Sequence, residues 1–147
     1  MILISSINYA FAQYVEEPLV VLETNQGEIV IEFFQLDAPK HTENFILLSK
    51  TGYYDGVLFH RIIPGFMIQS GDPNTIDGDP NTWGQGGKGA SSDRIDAEFN
   101  SIQHERGIVS MARSSDPNSA GSQFFIVHKD STFLDGEYTV FGRIVTE

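Results

Sequence analysis

The sequence predicts a mainly β protein, folded as a closed antiparallel barrel with one helix packed against it. Three observations lead there. Short apolar runs recur along the chain, separated by Gly, Pro, Asn and Asp. Only one stretch places apolar residues at spacings of three and four, the mark of an amphipathic helix. The apolar share is 40%, with eleven Phe in 147 residues, which suits one domain with a filled interior.

The elements follow in order. Residues 19–34, "LVVLETNQGEIVIEFF", alternate on both sides of Asn25, Gln26 and Gly27. Val20 and Leu22 share a face, as do Ile29, Ile31 and Phe33 on the return, while Glu23, Glu28 and Glu32 point the other way. That is a β-hairpin pattern. The helix comes next, in "DAPKHTENFILLSKTGYYDG". Pro39 suits its first turn, Asp37 is placed to cap it, His41, Phe45 and Leu48 share a face, and Gly52 ends it. Residues 59–69 read as two short strands around the turn pair Pro64 and Gly65. A loop over residues 72–93, rich in Gly, Pro, Asn and Asp, is long enough to suggest function. Residues 107–112, 122–128 and 138–145 supply three more strands.

Charge and composition exclude several functions. Nine Lys and Arg stand against twenty Asp and Glu, a net charge of −11, which repels nucleic-acid phosphates and anionic membranes. No cysteine is present, so disulfides, thiol nucleophiles and Cys-ligated zinc are out. No run is long and apolar enough to cross a bilayer as a helix. Residues 1–18 read as a leader and 19–147 as the domain. Ala10, Phe11 and Ala12 before Gln13 have the small-x-small form of a signal-peptidase site, although the basic segment that normally precedes one is missing. The pattern favours export to the cell envelope or beyond; a loosely docked leader on a cytoplasmic protein is the alternative.

Several familiar motifs fail on context. Residues 84–89 satisfy G-x-G-x-x-G, but no strand precedes them and no amphipathic helix follows. Residues 77–81 begin like a calcium loop, yet Thr82 stands where its Gly belongs and Lys88 where its Glu belongs. His41, His60, His104 and His128 form no i, i+4 pair, so no metal site is expected. Ser122 has no evident base, and no G-x-S-x-G elbow occurs. What remains is a set of residues that one groove could gather: Phe66 and Met67, Phe124 and Phe125, Phe133 and Leu134. Strand side chains alternate, so Phe124 and Phe125 cannot both face the core. Arg61, Gln69 and Gln123 recur within the same apolar strands, as in a groove with convergent polar groups. Arg is seldom fully buried unless paired, so the plain alternative for Arg61 is an ion pair with a buried carboxylate.

These residues lie in segments that closely resemble the cyclophilin family of peptidyl-prolyl cis-trans isomerases. They are "TENFILLSKTGYYDGVLFHR", "FHRIIPGFMIQSGDP", "GGKG", "GIVSMARSSDPNSAGSQFFIVH" and "FLDGEYTVFGRIV", and the resemblance runs from Leu19 to the last residue. It implies an eight-stranded closed barrel capped by helices, with the active groove on the outer face. It implies isomerisation of X-Pro bonds in folding or unfolded client proteins, by a monomer without metal or cofactor. Carried over by motif, Arg61, Gln69, Phe66 and Phe125 are catalytic. Met67, Ala112, Arg113, Gln123, Phe133, Leu134 and Tyr138 bind substrate.

The sequence departs from the family at several points. Phe133 stands where members that bind cyclosporin tightly have Trp, so the indole N–H is lost and weak cyclosporin binding is expected. Tyr138 replaces a common His, and Arg113 a frequent Asn. The loop after Asp72 is longer than usual, and the chain stops at "FGRIVTE", where members continue into a further helix and strand. That would leave a barrel edge unpaired. Two readings from other classes stand beside the isomerase. One is an inactive proline-peptide binding module, which would need only the apolar pocket and neither Arg61 nor Gln69. The other is a small-ligand barrel, which would need a hollow interior.

Overall fold

The computed structural model describes residues 17–90 and 94–145. The proposed leader therefore lies almost wholly outside the described residues. Seven strands form one antiparallel sheet: β1 (Val20–Thr24), β2 (Gly27–Phe33), β3 (Arg61–Ile63), β4 (Met67–Ser70), β5 (Ile108–Met111), β6 (Phe124–Val127) and β7 (Val140–Ile144). Their spatial order is β1-β2-β7-β5-β6-β4-β3, and the sheet curls around a core. All seven correspond to runs legible in the sequence. Neither the closed barrel expected from the recurring short strands nor the eighth strand that the family resemblance implied is found among the described residues. Instead β1 and β3 are edges, and a cleft of about 530 Å³ opens between β1 and residues 54–59.

Alternation explains the two sides of the sheet. Ile31, Phe33, Val109, Met111, Phe124 and Ile126 face inward, onto one core with Phe45 and Phe141. Met67, Phe125, Val127 and Val140 point outward, into a second apolar cluster that also takes Leu134. Phe124 and Phe125 thus separate to opposite faces, as the pleat requires. Phe45 is fully buried at the centre of the inner core. Its ring meets Phe124 edge-on at 5.0 Å, Tyr54 at 5.0 Å and Phe141 at 5.4 Å. A ring so enclosed contributes roughly 1.5–3 kcal/mol through burial alone.

Phe45 is carried by helix α1 (Pro39–Lys50), which buries His41, Phe45 and Leu48 as its spacing predicts. The expected Asp37 cap is not made: the N-cap is Ala38, without a side-chain bond. Glu98, far along the chain, does the capping. Its carboxylate accepts the free N–H groups of Lys40 at 3.1 Å and His41 at 3.0 Å, and the His41 ring at 2.6 Å. A charge brought by tertiary contact satisfies the orphan donors and complements the helix dipole, so no local cap is needed. At the other end Gly52 has φ +72, Gly52 N–H bonds Ser49 O and Tyr53 N–H bonds Leu48 O. That pairing is a Schellman motif.

The long loop is more structured than its composition suggested. It contains a short helix α2 (Asn74–Asp77) and a 3-10 turn, Pro80–Thr82. Asp72, fully buried, organises it. The Asp72 carboxylate accepts N–H bonds from Asn74 at 2.9 Å, from Gly84, and from Gly86 at 3.2 Å. The glycine N–H groups that a bound phosphate would need are thus already given to an internal carboxylate.

Candidate active site

The β3–β4 hairpin turns at Pro64 and Gly65, where Gly65 has φ +74 and Phe66 N–H bonds Ile63 O at 3.0 Å. This is a type II turn, which needs φ above zero at its third residue, hence Gly. The turn sets the register, so Arg61 lies directly opposite Gln69. The next pairing sets Gln69 opposite Phe125, and the one after sets Phe125 opposite Ser110. Arg61, Gln69 and Phe125 therefore line up across three strands on the outer face.

A chain of side-chain hydrogen bonds follows that line. Arg61 Nη1 donates to Gln69 Oε1 at 3.4 Å. Gln69 Nε2 donates to Gln123 Oε1 at 2.9 Å, and Gln123 Nε2 donates to the Gly86 carbonyl at 2.7 Å. Arg61 itself is exposed, and among the described residues no carboxylate pairs with it. The ion-pair alternative for Arg61 is thus not what the structure shows.

Beside this relay lies an apolar floor. Met67, Phe125 and Leu134 are buried, with Phe66, Ala112 and Tyr138 packed against them. Phe133 stands at the rim, 71% exposed, with its ring 5.5 Å from that of Phe66. Tyr138 meets Phe125 edge-on at 5.6 Å. The Arg113 guanidinium covers Tyr138 at 4.7 Å. It also donates to the Glu137 and Ser114 carbonyls, each at 2.9 Å. Arg113 is therefore a wall of the groove and not a free charge. The Ala112 N–H bonds Gln123 O at 3.0 Å, tying both residues to the β5–β6 edge of the floor. A hollow of about 290 Å³ adjoins the relay, lined by Gln69, Ala112, Arg113, Ser114, Ser119 and Gln123 together with residues 84–87 and Arg94. The eleven site residues expected from the sequence belong to this relay or to the apolar cluster and its rim.

Sequence reasoning missed a buried polar cluster behind Phe125. The sequence offers His104 only as a candidate metal ligand and marks neither Asp135 nor Ser110. The His104 ring is fully buried, and its Nδ1 lies 2.9 Å from Asp135 Oδ1 while its Nε2 lies 3.0 Å from Ser110 Oγ. Burial opposes ionisation of Asp135, but bonds from the His104 N–H groups and the His104 charge outweigh it and hold this carboxyl below its usual range. No local pattern announces such a cluster, because its members come from three separate segments. Among the described residues no group of His, Asp and Glu is arranged to hold a metal ion.

Known proteins match this chain throughout the described domain. The family model for cyclophilin type peptidyl-prolyl cis-trans isomerase/CLD matches residues 19–147. The peptidyl-prolyl cis-trans isomerase ppi1 of Schizosaccharomyces pombe is 46% identical over 129 residues, covering 86% of this chain and 78% of that protein. The isomerase CYP18-1 of Arabidopsis thaliana is 45% identical over 128 residues, covering 86% and 75%. Among solved structures, a cyclophilin type isomerase of Cryptosporidium parvum, crystallised in the presence of the dipeptide Ala-Pro, superposes with a TM-score of 0.79. That structure is 38% identical in sequence, over 88% of this chain and 80% of the other. The fold, the antiparallel curl of its sheet and the matched sequence together make this chain a member of the cyclophilin-type peptidyl-prolyl cis-trans isomerases.

Proposed function

We propose that isomerisation takes place in the groove on the outer face of β3, β4 and β6, with Arg61 as the donor that recognises the twisted X-Pro bond. The substrates are proline-containing segments of folding or unfolded proteins, whose folding the enzyme assists. The uncatalysed barrier is about 18–20 kcal/mol, because rotation breaks amide resonance. In the twisted state the proline nitrogen becomes pyramidal and regains a lone pair. A donor aimed at that nitrogen binds the twisted state better than either planar one, and only such a difference accelerates the reaction. A guanidinium suits the task, being always charged and rigid.

The other residues divide the remaining work. Gln69 orients Arg61 and reaches the substrate backbone, itself held by Gln123. Phe66, Met67, Phe125 and Leu134 receive the proline ring, with Phe133 and Tyr138 at the rim. Ala112 and Arg113 bound the path of the flanking peptide. The observation that carries this reading is the anchored but exposed guanidinium, held at 3.4 Å by Gln69 beside the Phe125 floor. The Ala-Pro dipeptide present with the Cryptosporidium parvum structure is in keeping with a proline-sized pocket.

The finer architecture is read in the same way. The seven strands alternate in direction, so β1 and β3 run the same way. One further strand, antiparallel to both, would close the ring between them. Ile62, on the inward side of β3, is 62% exposed, which agrees with a place left for such a strand. The domain is read as residues 19–147, working as a monomer, with residues 1–18 as a leader.

Exchange NMR on a short X-Pro peptide tests the mechanism, because it needs no coupling protease. The wild-type chain should broaden the cis and trans signals. Arg61→Ala should lose roughly 10²–10³-fold of that exchange while still binding the peptide. Retention of the exchange rate in Arg61→Ala would remove Arg61 from the mechanism.

A further inference from the structure

We propose that His104 is a positioning residue for the isomerase groove, fixing three of its walls at once from behind. The inference rests on the reading above, in which Phe125, Leu134 and Tyr138 form the proline pocket. Five contacts carry it. The His104 ring stacks on Phe125, with centroids 6.0 Å apart and planes 14° from parallel. Its carbonyl accepts the Ser131 N–H at 2.8 Å, and its own N–H donates to Asp135 Oδ1 at 2.8 Å. Those two bonds clamp both ends of the 3-10 turn Thr132–Leu134, which carries Phe133 and Leu134. Nδ1 adds a second bond to Asp135 at 2.9 Å. Nε2 meets Ser110 Oγ at 3.0 Å, and that hydroxyl donates to Thr139 O at 2.9 Å, next to Tyr138.

Asp135, His104 and Ser110 have the connectivity of an acyl-transfer triad. Acyl chemistry does not follow, because Ser110 is fully buried and its hydroxyl is turned to a backbone carbonyl. The network holds; it does not attack. An apolar ring in place of the imidazole would keep the stacking on Phe125 and the two main-chain bonds to the turn, but lose the ring's bonds to Asp135 and Ser110. Imidazole is the side chain that stacks as a flat ring and bonds at two opposite corners. A pocket held from both corners keeps the proline ring in register with Arg61, and small displacements from such alignment cost large factors in rate.

His104→Phe retains the ring, and His104→Asn restores the bond to Asp135. Exchange NMR on the X-Pro peptide should show about a tenfold slower catalysed rate in His104→Phe, with peptide affinity changed less than twofold. His104→Asn should recover part of that loss. The Phe125 ring signals should shift in both, reporting the displaced wall. A folded His104→Phe with wild-type exchange would overturn the proposal, as would rate and affinity falling together in proportion to the unfolded fraction. Should His104→Phe fail to fold, Ser110→Ala decides: an unchanged rate with unmoved Phe125 signals rejects the positioning role. Arg61→Ala, run alongside, separates the two ideas. If Arg61→Ala exchanges like wild type, the groove reading fails, whatever His104 does.

Discussion

At the rim of the proposed groove stands Phe133, where the family resemblance leads one to expect a Trp in tight cyclosporin binders. It is 71% exposed and leans on Phe66, so its position has room for an indole. Phe133→Trp should raise cyclosporin affinity about five- to tenfold, the worth of one added hydrogen bond of roughly 1–1.5 kcal/mol. Titration calorimetry on the two proteins measures it, and equal affinities would show that the ring and not the N–H sets binding. The residues of the proposed groove were placed by short motifs and by the family resemblance that those motifs carry. Arg61 and Gln69 stand on either side of a Pro-Gly turn, and Phe125 lies two residues after Gln123. His104, Asp135 and Ser110 were not legible, since their meeting depends on the curl of the whole sheet. Asp37 misled for the converse reason. It has the chemistry of a cap and the right position, but Glu98 reaches the same donors from a distant loop.

Among the elements, β4 depends on a close approach just past its end. Gly71 has φ +90, and a Cβ there would lie 2.2 Å from Ser122 O. Both backbone strain and contact oppose any side chain. Gly71→Ala should cost about 2–4 kcal/mol of stability, by forcing β4 from the segment leading into β6. Urea unfolding followed by fluorescence reads this, and a change below 1 kcal/mol, within the range of an ordinary surface substitution, would show that the two segments separate freely. The strands themselves were easy to foresee, because period-two alternation and Gly-Pro punctuation mark them directly. The content of the loop after Asp72 was not, because a buried carboxylate and not a periodic pattern organises it.

For the molecule as a whole, one source of acid sensitivity is the pair of buried His41 and half-buried Glu98. Burial holds the His41 pKa below 6.5, against the pull of Glu98, and His41 Nε2 has no acceptor to receive a proton. The unfolded chain therefore takes up that proton first, and stability falls as pH drops through the window below 6.5. Burial also opposes ionisation of Glu98, but its bonds from His41 and Lys40 prevail and lower its pKa from 4.5. Its contribution is present above 4.5 and lost as pH falls through the lowered value. Thermal or urea midpoints should thus decline in two stages. In the first, the slope is at most about 1.4 kcal/mol per pH unit for one proton. His41→Gln should lose the upper stage and keep the lower, and an unchanged upper slope would assign that proton elsewhere. The mainly β, antiparallel class was legible from seven alternating runs, but the closure read from them is not found among the described residues. Whether β1 and β3 meet a common neighbour depends on a strand that no run within the described residues supplies.

The amide relay behind Arg61 has a consequence of its own. A glutamine amide can be turned end for end with almost no change of shape, exchanging donor for acceptor. A backbone carbonyl cannot: it has only an acceptor face. Because Gln123 gives its NH₂ to the Gly86 carbonyl, its oxygen must point to Gln69; because Gln69 gives its NH₂ there, its own oxygen must point to Arg61. The sense of both amides is inherited from one fixed carbonyl, and the residue that bears it is held in turn by the Asp72 carboxylate at Gly86 N–H. A reversed Gln69 would face the guanidinium with a donor and drive it off. The acceptor that aims Arg61 is thus written in main chain some distance from the groove, where side-chain rotation cannot erase it.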